Sequence, residues 1–461
     1  MIVIYFEEDM MNIVIVGAGK VGQVLCHDLS HENHNITLIE INSDLLEEML
    51  NEHDINGVVG NGSSYEIQVE AGVEKADIFI AVTDNDELNL IAAVLAKNIG
   101  AETTIARARK EDYIYLNGPV RRSLGINYIV NPELEAAEYI RRLITFPQAI
   151  SYESFTSKDE APIVEMRVSP DSNLVGKMLI QFRNLYKNIL VCAVADGDKV
   201  FIPNGDYAIK SGDHLFVIGP IEELSKLFLE NKQTTKVIKS IFIIGGGLLS
   251  RYILKVLNDT NIKIKLVEKD REKAEYISLN FPKVEVINDD GTSSKTLKEQ
   301  RADQYDALFA LTGIDEENMI VSMVAQKYNI GKTLTKISRT ELNDLGDLIG
   351  LQSIVTPKRI IADKILQKIR ALENSQGSNV EALYKMANDQ VEALEFIVRE
   401  TSKVTGIKLK DLPIKNGNLL AFIKRNNEIL FPSGEDTIEV DDRVILITQN
   451  EGLNELDEIL L

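Results

Sequence analysis

Short apolar runs alternate with amphipathic stretches over the first 130 residues of the chain. Longer stretches with apolar residues at helical spacing, such as LNLIAAVLAKN, separate the runs. Strands that alternate with helices are typical of right-handed βαβ units and a mostly parallel sheet. The pattern therefore predicts an α/β, doubly wound parallel-sheet domain. Its predicted strands are NIVIVG, NITLIE, INGVVG, ADIFIAVT, TTIARAR and INYIV.

The first strand runs into a glycine-spaced turn that opens a helix, and this context favours a dinucleotide site of the Rossmann type. Gly17 permits the tight turn, Gly19 lets the backbone approach a pyrophosphate, and Gly22 lets helix and strand pack closely. The amides of the helix N-terminus then face the anion. The complete turn is Gly17, Ala18, Gly19, Lys20, Val21 and Gly22.

An acidic residue and three loops are expected around the same cleft. Glu40 ends the second strand, where its carboxylate is placed to accept hydrogen bonds from ribose and to repel a 2′-phosphate, which favours NAD(H) or an adenine nucleotide over NADP. Asn61 is expected beside the adenine, Thr83 and Asp84 near the ribose or phosphates, and Arg107 at a phosphate. Structural alternatives are a plain turn at Asn61, a helix cap at Asp84 (or Asp86), and a solvated Arg107.

From Pro162 to about Glu230 the pattern changes. IVEMRV, LVCAVA and HLFVIG have strand character, and turn signals such as Asp196-Gly197 and Ser211-Gly212-Asp213 separate them. We expect a small α+β domain of about 70 residues here.

The second half of the chain repeats the first. SIFIIGGGLLS echoes the glycine turn, and ALEFIV, LLAFIK and RVILIT echo the small domain. The offset is nearly constant, and it far exceeds the ~20–50 residues of a solenoid repeat, so it indicates duplication of a whole module. The matched landmarks include Gly17 with Gly245, Glu40 with Glu268, Thr83 with Thr312, Arg107 with Lys336, and Pro203 with Pro432.

The duplication predicts six segments. We expect Rossmann-like domains at 11–132 and 237–356, and small α+β domains at 151–232 and 380–461. Crossover helices are expected at 133–150 and 357–373. Each of these helices either packs on its own domain or docks on a second subunit, and periodicity does not separate the two.

The composition of the chain disfavours several classes of partner and of architecture. The net charge of −21 disfavours nucleic acid and anionic lipid as partners. Two cysteines, Cys26 and Cys192, exclude a disulfide framework, and no apolar run reaches the ~18 residues of a membrane span. Met11, or alternatively Met10, is the expected translation start, with the preceding residues an upstream extension.

No catalytic constellation is evident in the sequence. There is no nucleophile elbow, P-loop or zinc-like spacing, and no acid partner is apparent for any histidine. The predicted small domains are too small and turn-rich to form a substrate pocket over a nicotinamide. A Rossmann-like fold does not itself confer catalysis, so we expect a non-enzyme without a metal site. The five histidines are His27, His31, His34, His53 and His214.

These motifs together resemble the RCK, or KTN, domain family. The N-terminal resemblance runs from MNIVIVGAGKVG through VVGNGSS to IARAR, and FIPNGDYAIKSGDHLFVIG resembles the C-terminal companion domain. Two such modules in one chain are similar to the peripheral subunits of bacterial Trk potassium-uptake systems. The resemblance implies a cytoplasmic, homo-oligomeric ring on the inner face of a membrane channel. It also implies that NAD(H), and ATP or ADP, bind the Rossmann clefts and shift the ring between shapes.

Residue-by-residue carry-over implies two sites of unequal quality. In the second half Ser250 replaces the third glycine, Gly313 replaces Asp84, and NDDGT carries one extra residue. The halves are therefore expected to differ in ligand, or only the first is regulated. The implied first site is Gly17, Gly19, Gly22, Glu40, Asn61, Thr83, Asp84 and Arg107. The implied second site is Gly245, Gly247, Glu268, Asp289, Thr312 and Lys336.

Two other functions stay open at this point. One is an NAD-dependent oxidoreductase with a site that the sequence does not reveal. The other is regulation of a different ion transporter, such as an efflux antiporter.

Overall fold

A computed structural model describes most of the chain, in two compact units. One unit extends to Ala136 and includes Thr356–Ile369; the other comprises Ala137–Val355 and Arg370–Leu461. The upstream extension expected before Met10 lies outside the described residues. These are 10–32, 34–114, 118–146, 149–153, 161–197, 199–231, 238–328, 330–339, 342, 349–351, 353–373, 380–387, 390–426, 428–450, 453 and 455–461.

The first unit contains a parallel sheet of six strands in the order β3-β2-β1-β4-β5-β6. The strands are β1 (Asn12–Val16), β2 (Asn35–Glu40), β3 (Asn56–Val59), β4 (Ile78–Ala81), β5 (Thr103–Arg107) and β6 (Tyr128–Val130). The helices are α1 (Lys20–Ser30), α2 (Ser43–Glu52), α3 (Tyr65–Glu70), α4 (Asp86–Ile99), α5 (Glu111–Ile114) and α6 (Gly118–Ser123). The order reverses between β1 and β4, the position at which such sheets bind ligands.

The central strands are apolar along their length because both faces of the sheet are covered. Ile13 and Ile15 of β1 and Ile78, Phe79 and Ile80 of β4 are fully buried. A near-continuous apolar run is what a doubly covered parallel strand requires. The predicted fold class is confirmed.

The same topology recurs in the second unit, in the order β14-β13-β12-β15-β16-β17. Its strands are β12 (Ser240–Ile244), β13 (Lys263–Glu268), β14 (Glu285–Asn288), β15 (Ala307–Ala310), β16 (Lys332–Lys336) and β17 (Ile354–Val355). Its helices are α10 (Leu248–Val256), α11 (Arg271–Asn280), α12 (Ser294–Glu299) and α13 (Asp315–Lys327). The identical strand order confirms the internal duplication.

Each small domain is a five-stranded sheet with antiparallel pairing, and the two pack together within the second unit. Phe216 and Cys192 of one sheet share a core with Phe422 and Ile445 of the other. The first domain comprises β7 (Tyr152–Glu153), β8 (Ile163–Arg167), β9 (Leu190–Asp196), β10 (Lys199–Phe201), β11 (His214–Ile218), α8 (Leu179–Leu185) and α9 (Ile221–Glu230). The second comprises β18 (Val380–Met386), β19 (Val391–Ile397), β20 (Asn418–Arg425), β21 (Glu428–Leu430) and β22 (Arg443–Thr448).

The crossover helices are α7 (Pro132–Thr145) and α14 (Pro357–Glu373). Helix α14 packs in the first unit: the Arg359 guanidinium lies 3.5 Å from the Asp28 carboxylate of α1, and the Lys368 ammonium lies 4.3 Å from the ring centre of Tyr128. This helix thus contacts the first Rossmann-like domain of its own chain, which neither sequence-based alternative included. None of the described helices has the length and apolar character needed to cross a membrane.

Candidate functional site

Each glycine of the first turn has a separate structural reason. Gly17 has φ +101°, a conformation that side chains disfavour. A Cβ at Gly22 would lie 1.9 Å from the Gly17 carbonyl oxygen, so α1 can lie this close to the turn only without a side chain at Gly22. A Cβ at Gly19 would meet nothing within 4 Å, although the backbone there (φ −65°, ψ 176°) accepts any residue. Gly19 therefore leaves space open beside the N-terminus of α1.

That space belongs to a cavity of about 510 Å³ at the carboxyl ends of β1, β2 and β4. Most of the predicted first-site residues line it: Gly17, Gly19, Lys20, Val21, Glu40, Asn61, Thr83, Asp84 and Arg107. Ala18 and Gly22 are buried in the turn behind the cavity. Lys358, from the first turn of α14, also lines the cavity and was not predicted.

Glu40 ties the glycine turn to the end of β2. Its carboxylate accepts hydrogen bonds from the amides of Ala18 (2.6 Å), Ile41 (2.9 Å) and Asn42 (3.0 Å). These bonds fix the carboxylate at the cavity wall.

Arg107 is a buried cation, and the solvated alternative is wrong. Its side chain is 5% exposed, and Nη1 donates to the carbonyls of Val82 (3.3 Å) and Thr83 (3.4 Å). Nη1 also lies 3.2 Å from Asp84, whose side chain is 88% exposed. The pair places a positive charge at the base of the cavity and a carboxylate at its rim.

Neither Asp84 nor Asp86 caps α4. The cap is Asn85, whose side chain accepts from the Leu88 amide at 2.8 Å. The buried Asp86 carboxylate instead accepts from the amides of Arg109 (2.8 Å) and Lys110 (2.9 Å), and so fixes the loop that follows β5.

Sequence reasoning missed Asn89, a fully buried amide under the cavity. It accepts from the amide (2.9 Å) and hydroxyl (2.7 Å) of Thr83 and donates to the carbonyls of Thr83 (2.9 Å) and Arg107 (3.0 Å). Asn318 makes the corresponding bonds to Thr312 and to the Lys336 carbonyl. An asparagine thus recurs at the same position of α4 and α13, within an otherwise apolar helix face. This recurrence is the sequence signal that could have identified Asn89.

The second glycine turn keeps the geometry of the first. Gly245 has φ +98°, and a Cβ at Gly247 would meet nothing within 4 Å. The Glu268 carboxylate accepts from the amides of Gly246 and, at 2.7 Å, Asp270. The Ser250 hydroxyl donates to the Gly245 carbonyl at 2.5 Å. That oxygen is the counterpart of the Gly17 oxygen, which a Cβ at Gly22 would approach to 1.9 Å.

The extra residue in NDDGT shifts the second site by one position. Asn61 accepts from the amide (3.0 Å) and hydroxyl (2.9 Å) of Ser63, and Asp290 does the same for Thr292 (3.1 and 2.6 Å). The structural counterpart of Asn61 is therefore Asp290. The Asp289 carboxylate accepts from the Thr296 hydroxyl at 3.0 Å.

At the end of the second sheet, Lys336 Nζ donates to the Thr312 carbonyl at 3.2 Å, much as Arg107 reaches the Thr83 carbonyl in the first half. Gly313 follows Thr312 in the place of Asp84, so the carboxylate that Asp84 brings to Arg107 has no counterpart at this position.

Two of the described histidines lie near a carboxylate: His214 near Glu165, and His53, whose Nε2 is 4.0 Å from Glu52. His214 Nδ1 lies 2.6 Å from the Glu165 carboxylate across β11 and β8, where sequence reasoning found none. Rings of His27, His31 and His53 cluster in the first unit, with centroids 4.8 and 5.4 Å apart. Among the described residues, no group of His, Cys, Asp or Glu side chains converges as a metal site.

Comparison with known proteins identifies each module. The TrkA-N domain matches residues 13–132 and 241–357, and the TrkA-C domain matches residues 163–230 and 393–461. The chain is 29% identical to the Trk system potassium uptake protein TrkA homolog of Archaeoglobus fulgidus, over 97% of this chain and 100% of that protein. It is also 29% identical to the Trk system potassium uptake protein TrkA of Halomonas elongata, over 95% of each chain.

Solved structures share the fold. The GsuK channel bound to NAD superposes with a TM-score of 0.62 at 16% identity, over 97% of this chain and 78% of that one. The GsuK RCK domain gives 0.61 at 17% identity, over 97% and 94%. With two TrkA-N and two TrkA-C domains in tandem, this chain belongs to the TrkA family.

Proposed function

We propose that this chain is the nucleotide-binding regulatory subunit of a Trk-type potassium-uptake system. The observation that carries the proposal is the match to proteins named TrkA along nearly the whole chain, together with a cavity built around the predicted glycine turn. The partner is a Trk-type membrane channel subunit, which several copies of this chain engage as a ring on its cytoplasmic side.

The ligands we propose are NAD(H), and ATP or ADP. At the first site, the amides at the start of α1 and the space beside Gly19 suit a pyrophosphate. Glu40 would accept from a ribose hydroxyl and repel a 2′-phosphate, which disfavours NADP. The remaining predicted residues, Asn61, Thr83, Asp84 and Arg107, would complete the wall.

At the second site we propose Gly245, Gly247, Glu268, Thr312 and Lys336, with Asp290 in the position of Asn61. The open space beside Gly247 supports ligand access to this turn. We propose that Asp289 is a structural residue, because its carboxylate is engaged by Thr296.

We further propose that the ligand is read and not converted. A ligand shifts an equilibrium between two shapes only by its difference in affinity for them. Several linked clefts in one ring would add their small differences in affinity, and so shift the equilibrium between the two shapes further than one cleft could. NADH and ATP are suitable ligands because their concentrations report the energy state of the cell.

The test has a cellular arm and a binding arm. Deleting the gene should impair potassium uptake at low external potassium, and unchanged uptake would refute the proposal. Purified protein should bind NADH or ATP by calorimetry. Steady hydride transfer with a small substrate, lost in Glu40→Arg, would favour an oxidoreductase, and a deletion that impairs efflux alone would favour an antiporter regulator.

A further inference from the structure

Helix α14 carries a lysine in its first turn, where a positive charge does not stabilise the helix. The first turn of a helix bears partial positive charge, which favours carboxylates and disfavours cations. The first turn of α14 contains Lys358 and no acidic residue, whereas the equivalent turn of α7 contains Glu133 and Glu135. Since both helices start at a proline, the duplicated module has diverged at this position.

The packing of α14 fixes where that lysine lies. Ile361, Ile365 and Ile369 are fully buried, and the contacts of Arg359 and Lys368 hold the two ends of the helix on the first domain. Lys358 thereby lines the cavity that Gly19 opens into.

The charges around the cavity point to an anion. Its carboxylates are already engaged, Glu40 by three amides and Asp84 by Arg107. Lys20, Lys358 and the N-terminal amides of α1 add positive potential on the same wall, and no acidic residue lies in the first turn of α1. A phosphate group is the nucleotide component that this arrangement favours.

We propose that Lys358 is a binding residue of the first site, where its ammonium group contacts phosphate oxygens of the ligand. The inference rests on the proposed nucleotide-binding function and adds a consequence to it. Because α14 follows β17 directly in the chain, a ligand that Lys358 holds also holds the segment leaving the second parallel sheet.

The test compares Lys358→Met and Lys358→Glu with Lys364→Met in the full-length chain. Lys364 is a lysine of the same helix that does not line the cavity. Titrations with ATP, ADP and NADH are run with EDTA, so that no divalent cation replaces the ammonium group. Gly247→Val is the background of every variant, so that the first site is observed alone.

We expect Lys358→Met to weaken binding about 10- to 100-fold, as loss of a charge-assisted hydrogen bond does. Lys358→Glu should weaken it further while leaving Tm unchanged or raised, because a carboxylate suits the helix N-terminus. Opposite directions for affinity and stability exclude misfolding as the cause. Lys364→Met should stay within about two-fold of the parent.

The ligand arms separate the sources of the phosphate. A loss confined to ATP and ADP assigns Lys358 to terminal phosphates, and an equal loss for NADH assigns it to a pyrophosphate; both support the proposal. Unchanged affinity in both Lys358 variants, with binding abolished by Gly19→Val, overturns the proposal and leaves the nucleotide function intact. Binding that also survives Gly19→Val in the same background overturns the placement of the nucleotide at the first turn and, with it, the role of Lys358; a parent chain that binds no nucleotide overturns the proposed function itself.

Discussion

Gly19→Val is the sharpest test of the first site, because it separates binding from folding. The backbone at Gly19 (φ −65°, ψ 176°) suits valine, and the new Cβ meets nothing within 4 Å. Replacing glycine at this helix cap costs up to ~1 kcal/mol, and the reduced freedom of the unfolded chain returns about 0.4–1 kcal/mol. The two terms nearly cancel, so we expect Tm within about 5 °C of the parent.

The effect on binding should be large. A valine side chain fills the space where the pyrophosphate approaches, so the amides of the turn lose their charge-assisted hydrogen bonds to phosphate. Two such bonds at about 1.5–3 kcal/mol each give a loss of at least ~3 kcal/mol, or a Kd raised more than ~100-fold. Isothermal titration with NADH and ATP measures this directly.

Gly247→Val is the matched control. Its backbone (φ −66°, ψ −176°) and open surroundings are nearly those of Gly19, but in the second turn. In a chain with two occupied sites, each substitution should remove one class of sites and leave the other. A folded Gly19→Val protein with the affinity and stoichiometry of the parent would show that the phosphates do not approach this turn.

Other substitutions and probes test the packing around the sites. Gly22→Ala should destabilise the first domain by at least about 1–3 kcal/mol in urea melts, because its Cβ would lie 1.9 Å from the Gly17 oxygen; an unchanged melt would contradict this packing. Burial lowers the pKa of Lys332 from 10.5 to about 8. At pH values between these two numbers, the Lys332 amine is therefore protonated in the unfolded state and neutral in the folded state. The unfolding free energy of the parent should therefore rise by up to ~3 kcal/mol relative to Lys332→Met as pH increases through that window, and parallel pH curves would refute the assignment. Burial raises the pKa of Cys26 to about 12 and that of Cys192 above its usual value, so native protein should not react with a disulfide reagent at pH 8, whereas unfolded protein should expose two thiols.

The fold could be predicted from the sequence because its signals are local. Each strand of the parallel sheets is a short apolar run, and Gly17 and Glu40 lie at the ends of β1 and β2, so the parallel pairing of these strands places them together. The duplication then allowed each strand of the first parallel sheet to be compared with its counterpart in the second. Agreement between the halves was stronger evidence than either pattern alone.

The parts that escaped prediction depend on contacts distant in sequence or on single-residue register. Lys358 reaches the first cavity from a helix some 340 residues after the glycine turn, and helical periodicity does not say which domain covers an apolar stripe. The N-cap of α4 is Asn85, one residue away from each predicted cap, because the fit of a side chain to a free amide depends on local geometry. Asp290 lies where Asp289 was expected because the extra residue in NDDGT shifts this loop by one position.

The two turns share a backbone and differ in charge, which bears on their duties. Lys20 of the first turn corresponds to Leu248 in the second, and Asn61 corresponds to the acidic Asp290. The Ser250 hydroxyl preserves the turn by bonding to Gly245, so serine at this position is no obstacle to a ligand. Because Asp290 is paired with Lys269 at 3.1 Å, the remaining charge difference at the helix start is the ammonium group of Lys20. We expect a triphosphate to lose more from its absence than a dinucleotide does. From these substitutions we expect the two turns to differ in ligand preference, which a binding series of NADH, NAD, ATP and ADP against Gly19→Val and Gly247→Val would measure.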